Sequence, residues 1–187
     1  MTGAGGDATH DGEAAGHEGG QTMQTIRLRA YAPGDGVQLA AVFFRSVREA
    51  ARADYSEVQV QAWAPVVPDP ASFEARAADG RFVVVAVNTV DEIVGYADLE
   101  DNGHIDHTYC RPDVVGHGVG SRLYDSLEEQ ARGAGIDRLF VEASESARRL
   151  FARKGFVVRH RQDLVVRGVE IHNYVMEKQL RPQPPLA

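Results

Sequence analysis

Val114-Val115-Gly116-His117-Gly118-Val119-Gly120-Ser121 is the stretch whose reading decides the fold. It follows an extended segment that ends at Arg111-Pro112. Behind it Val119, Leu123, Leu127 and Ala131 recur every four residues, the apolar face of a helix. Glycine at every second position lets the backbone approach a ligand with no Cβ in the way. Amide N–H groups at a helix start are unpaired and sit at the positive end of the helix dipole, so they form an anion site. The stretch is therefore a phosphate-binding loop or a plain turn that opens a helix. A nucleoside-triphosphate loop needs Gly-Lys-Ser/Thr, and no lysine is present here. A dinucleotide loop needs G-x-G-x-x-G directly after the first strand of a βαβ unit, whereas this G-x-G-x-G comes after several strand patterns.

Working outward, residues 25–29 alternate apolar and polar as a half-buried strand does. Asp35, after Pro33-Gly34, can cap a helix whose buried face is Ala40, Phe43, Phe44, Val47 and Ala51. Shorter helices fit 56–63, with Ser56 as cap, and 70–78. Strands fit 81–87, 93–99 and 104–111. Beyond the glycine helix, which Gly133 and Gly135 stop, come a short strand at 139–143 and a helix capped by Ser146 and stopped by Gly155. Two final strands, 157–166 and 169–180, join at Arg167-Gly168. The order predicts a mixed α/β sheet with helices on its faces.

The 187 residues fit one domain, long enough to bury a core without staples. Residues 1–22, rich in glycine and poor in large apolar side chains, read as a disordered tail, and 181–187 as a short Pro-rich tail. The domain proper is 23–180. With one cysteine, Cys110, no intrachain disulfide can form, which suits a reducing cytoplasm. No run is long and apolar enough to span a membrane, so no membrane partner is expected. A net charge of −7 argues against nucleic acid and permits an amine substrate. The seven histidines show no ligand spacing, so no metal is expected.

Order and motifs together resemble the GCN5-related N-acetyltransferases, the GNAT superfamily, over about 23–180. The family's pyrophosphate loop, Q/R-x-x-G-x-G/A, corresponds to Val115 through Gly120. Its helix A-x-x-L-Y-x-x-x-G-F corresponds to Ala147-Arg148-Arg149-Leu150-Phe151-Ala152-Arg153-Lys154-Gly155-Phe156. The segment from Phe43 through Tyr55-Ser56 to Trp63-Ala64 is similar to the YafP-type bacterial N-acetyltransferases. The resemblance implies a GNAT fold: a mixed, mostly antiparallel central sheet of about seven strands with four to five helices. It also implies acetyl-CoA as acetyl donor and an amine acceptor attacked directly. The expected acceptor is a small molecule. A protein N-terminus or lysine, and a non-catalytic acyl-CoA-binding regulatory role, are the alternatives, and a homodimer is compatible with the resemblance.

The resemblance also implies residue roles. Amides of Gly116, His117, Gly118, Val119, Gly120 and Ser121 hold the pyrophosphate. Thr108, Tyr109 and Cys110 lie along the pantetheine arm, with Ser144 where the family often has Asn, and Phe151 nearby. Val115 replaces the usual Gln or Arg, which removes a side chain but not the amide cradle. Cys110 also reads as a buried small hydrophobe, since no partner base for a reactive thiol is evident. Strand alternation puts His104, Asp106, Thr108 and Cys110 on one face. Asp106 matches the carboxylate base of histone-acetylating members, with His107 and Glu100 in reserve. Phe151 stands where the family often has an acidic tyrosine, which leaves Tyr109 and Tyr174 as candidates for that service, or as core aromatics. Tyr55, Trp63, Asp106, His107 and Tyr174 are the expected acceptor-site residues.

Overall fold

Phe82–Val87 and Ile93–Leu99 are almost wholly apolar, a pattern strands tolerate only when both faces are covered. In the computed structural model, which describes residues 25–181, they form the middle of a four-stranded antiparallel sheet. The elements run β1 (Arg27–Ala30), α1 (Gly36–Arg48), α2 (Glu57–Trp63), α3 (Pro70–Ala77), β2 (Phe82–Val87) and β3 (Ile93–Leu99). Then come β4 (Thr108–Cys110), α4 (Val119–Gly133), β5 (Arg138–Ala143), α5 (Glu145–Arg153), β6 (Val157–Val166) and β7 (Val169–Gln179). A 3-10 helix, Ala50–Ala53, links α1 to α2. The strands pair in the orders β1-β2-β3-β4 and β5-β7-β6, all antiparallel.

Strand alternation divides the core. Val83, Val85 and Val87 face Leu39 of α1 and Phe73 of α3, while Val84 and Ala86 face Leu123 and Leu127 of α4. The α4 cluster continues under the second sheet through Leu139, Val141 and Met176. A third cluster, with Val47, Tyr55, Val60 and Ile171, ties α1 and α2 to β7.

The strand expected over 104–111 is confined to 108–110. Among the described residues one backbone bridge joins the two sheets: His104 bridges Phe140 in parallel, through Ile105 N–H to the Phe140 carbonyl and Phe140 N–H to the Gly103 carbonyl. Gly103, at φ +92°, permits this contact, because a Cβ there would collide with the Arg138 carbonyl. Beyond the bridge β4 and β5 diverge.

Local chemistry at the helix starts explains other boundaries. Ser56 and Gln59 form a reciprocal capping box on α2. Ser144, rather than the expected Ser146, caps α5 by accepting from Ala147 N–H. Asp35 precedes α1 but does not cap it; its carboxylate accepts from Ala32 N–H and pairs with Arg29 at 2.7 Å. The β6–β7 turn at Arg167-Gly168 has both residues at positive φ, the two-residue hairpin geometry that suits strand twist. The tail expected at 1–22, and all but the first residue of that at 181–187, lie outside the described residues.

Candidate active site

The divergence of β4 from β5 leaves a slot with backbone groups on both walls. His107 accepts from Asp98 N–H and Arg111 donates to Val94, so odd-numbered residues of this segment bond to β3. Thr108 and Cys110 therefore turn their N–H and C=O groups the other way, into the slot. Phe140 bonds toward Gly103 and Ile105, and by the same parity Glu142 faces the slot from β5. Tyr109 pairs with Tyr96, so its backbone is committed to β3 rather than to a ligand.

The glycine loop closes one end of the slot. Gly116 and Gly118 lie at φ +85° and +80°, and a Cβ at either would meet open space. Gly118 is the residue before α4. Among the described residues, no backbone carbonyl accepts from the amides of Gly116, Gly118, Val119, Gly120 or Ser121. His117 differs: its amide donates to the Val114 carbonyl, and its side chain is exposed away from the cleft. Four consecutive free donors at the start of a fifteen-residue helix make an anion cradle.

A cleft of about 450 Å³ runs from this cradle along β4. Thr108, Tyr109, Cys110 and Ser144 line it, together with the loop residues other than His117. Burial pushes the Cys110 thiol up to about 12, which keeps it protonated and suits its reading as a small hydrophobe. Phe151 does not reach the cleft. It is fully buried, edge-on to Tyr124 and Phe156, because its helix position faces α4. Leu150, Arg149 and Arg153 face the cleft instead. The spacing of those two arginines, one helical turn apart, was a readable signal that the motif-based reading passed over.

A second cavity of about 350 Å³ adjoins the first. Tyr55, Trp63, Asp106, His107 and Tyr109 line it, with Phe43, Glu142 and the β7 residues Ile171, His172 and Asn173. Tyr109 and Trp63 line both cavities and so stand at their junction. Trp63 meets Tyr55 edge-on, with centroids 5.7 Å apart. The Tyr55 hydroxyl donates to the His172 carbonyl and accepts from Glu145 N–H, which holds this wall to β7 and α5. Tyr174 lies outside both cavities. Its hydroxyl donates to Glu145 at 2.5 Å and Arg148 stacks over its ring, so it braces α5. Phe43 and Glu142 escaped the sequence reading: the first looks like a plain core position, and the second gains meaning only from the divergence of β4 and β5.

Electrostatics sort the remaining candidates. Asp106 pairs with Arg76 and lies 3.5 Å from Arg81. Burial raises its carboxyl, but the Arg76 hydrogen bond and nearby charges outweigh this and hold it below the usual carboxylate range. Burial drives His107 down to about 4, so it is neutral at pH 7. Its Nδ1 lies 3.0 Å from the Tyr96 hydroxyl. The fully buried Tyr96 phenol stays protonated and donates to Nδ1, which leaves the His107 proton on Nε2. Burial also raises the Tyr109 phenol well above its ordinary value, which keeps it protonated. Glu100, His104 and Asp106 bring donor atoms within 4.8 Å of one another, a grouping their sequence spacing did not suggest. Arg76, Arg81 and the ring of His104 already engage those carboxylates.

The model of the acetyltransferase (GNAT) domain matches residues 51–178. The uncharacterized N-acetyltransferase YafP of Escherichia coli (strain K12) is 31% identical over 154 residues, 82% of this chain and 96% of that protein. The crystal structure of a GCN5-related N-acetyltransferase from Rhodopseudomonas palustris superposes with a TM-score of 0.76 at 38% identity, covering 87% of this chain and all of that one. The structure of yncA, a putative acetyltransferase from Salmonella typhimurium with its cofactor acetyl-CoA, shares the fold with a TM-score of 0.66. It is 21% identical and covers 87% of this chain and 98% of that one. Among the described residues no helix is long and apolar enough to cross a membrane.

Proposed function

This chain belongs to the GNAT family of acetyltransferases, and we propose that it transfers an acetyl group from acetyl-CoA to the amine of a small-molecule acceptor, both held at once. The observation that carries this reading is the junction of the two cavities at Tyr109 and Trp63. One cavity ends in an anion cradle and the other is walled by carboxylates and aromatic rings. The cleft suits acetyl-CoA, because the free amides of Gly118 to Ser121 match a pyrophosphate and the slot-facing backbone of Thr108 and Cys110 matches an amide-bearing arm. Bound acetyl-CoA supplies a thioester carbonyl as electrophile.

The protein's own groups then orient the amine and manage its proton. Asp106 faces the acceptor cavity in ionised form and takes the ammonium proton through water, passing it to solvent. The Tyr109 hydroxyl stays protonated and donates a hydrogen bond to the departing sulfur. A carboxylate held low and a phenol held high are a weak base and a weak acid, so positioning carries most of the rate. Release of free CoA thiol on adding amines to acetyl-CoA and the protein tests the reading. Gly118→Glu, which places a carboxylate in the cradle, is expected to abolish acetyl-CoA binding. Acetyl-CoA bound with no thiol released by any amine would overturn the proposal, as would undiminished binding by the variant.

A further inference from the structure

We infer that the acceptor is a small primary amine on an apolar body, with no carboxylate beside the amine, so that amino acids are excluded. This rests on the acetyl-transfer reading for the amine itself, but its argument comes from the second cavity alone. No arginine or lysine lines that cavity among the described residues. Asp106 and Glu142 do. Behind Asp106, the carboxylates of Asp79, Asp98, Glu100 and Asp106 share the guanidinium groups of Arg76 and Arg81. Four acids against two bases leave the network with an excess of negative charge. Among the described residues Glu142 is matched only by His104, at 2.7 Å.

The rest of the wall is largely aromatic and apolar and, among the described residues, adds no lysine or arginine charge. Phe43, Tyr55, Trp63 and Tyr109 present aromatic surface, and Ile171 closes the β7 side. Such faces attract an organic cation. Among the described residues the side-chain oxygen of Asn173 has no hydrogen-bond partner. An ammonium group offers donors, whereas a carboxylate would enter an acidic pocket without a counter-charge, which is costly. The histidines do not change this balance. His107 is neutral at pH 7, and the His172 ring nitrogen lies 3.3 Å from Glu145, a further carboxylate.

Trp63 makes the test direct, because it is the only tryptophan in the chain and lies in the cavity wall. Its fluorescence in CoA-saturated protein reads binding independently of acetyl transfer. Phenethylamine, phenylalanine and phenylalanine amide share one ring and differ in the group beside the amine. The amine and the amide are expected to bind at least about tenfold more tightly than the amino acid, and Glu142→Gln to shrink that ratio. The inference is overturned if phenylalanine binds as well as phenethylamine, or if the ratio is unchanged in the variant. It also fails if the amide is rejected as strongly as the amino acid, which would assign the selection to bulk. Amine-selective binding without thiol release would instead sink the acetyl-transfer reading and leave the selectivity standing. Equal thiol release from amino acids and amines would do the reverse.

Discussion

Among single residues, His107 makes the sharpest statement about pH. Its folded pKa is about 4 against an ordinary 6.5, and burial is the main cause. Between those values the unfolded chain binds the extra proton and the folded chain does not. Stability is therefore full above about pH 6.5 and falls as pH is lowered toward 4, by roughly 3 kcal/mol from this residue. Urea unfolding of the wild type and of His107→Asn across that window should show a slope in the first that is missing in the second. Tyr109→Phe keeps the ring at the junction and removes the hydroxyl. It is expected to lower kcat about 10²-fold while leaving the KM for acetyl-CoA nearly unchanged; a normal kcat would dismiss the hydroxyl from the chemistry. Motif position told which residues crowd the site, but not which way they point. Phe151 and Tyr174 sit where the motifs suggested contact, and tertiary packing turns one into the core and the other onto Glu145.

Individual elements were legible wherever periodicity is strong. β3 and β6 match their expected bounds because uninterrupted apolar or alternating runs leave few alternatives. α2 and α3 start where Ser56 and Asp69 cap them. The exception is the stretch 104–111, whose alternation reads as one strand although only 108–110 pairs with β3. Its departure from the sheet depends on contacts with Gly103 and Phe140, which local pattern does not encode. Gly103→Ala should accordingly destabilise the fold by about 2 kcal/mol or more, through both the positive φ and the collision at Arg138. Chemical denaturation would show it, and an unaffected midpoint would mean the bridge yields easily. A milder change is expected for Ser56→Ala, about 1 kcal/mol from the lost cap on α2.

At the scale of the whole fold, two sheets share one helix-covered core and, among the described residues, are joined by a single backbone bridge. That arrangement leaves two adjoining cavities among the described residues. Acetyl-CoA held at one hundred times its Kd should add about 2.7 kcal/mol to stability, readable as a raised Tm. An unchanged Tm at that saturation would be incompatible with binding to the folded state alone. The open slot also has a cost in the absence of its occupant. Thr108, Cys110 and Glu142 present peptide groups that no neighbouring strand among the described residues uses, in effect an unprotected sheet edge inside the protein. A passing extended segment of another molecule can satisfy those groups as well as a cofactor arm can. If the slot holds acetyl-CoA as proposed, the cosubstrate is expected to cover this edge and so to oppose self-association. Light scattering during gentle heating should register this as earlier aggregation in CoA-free protein than in CoA-saturated protein.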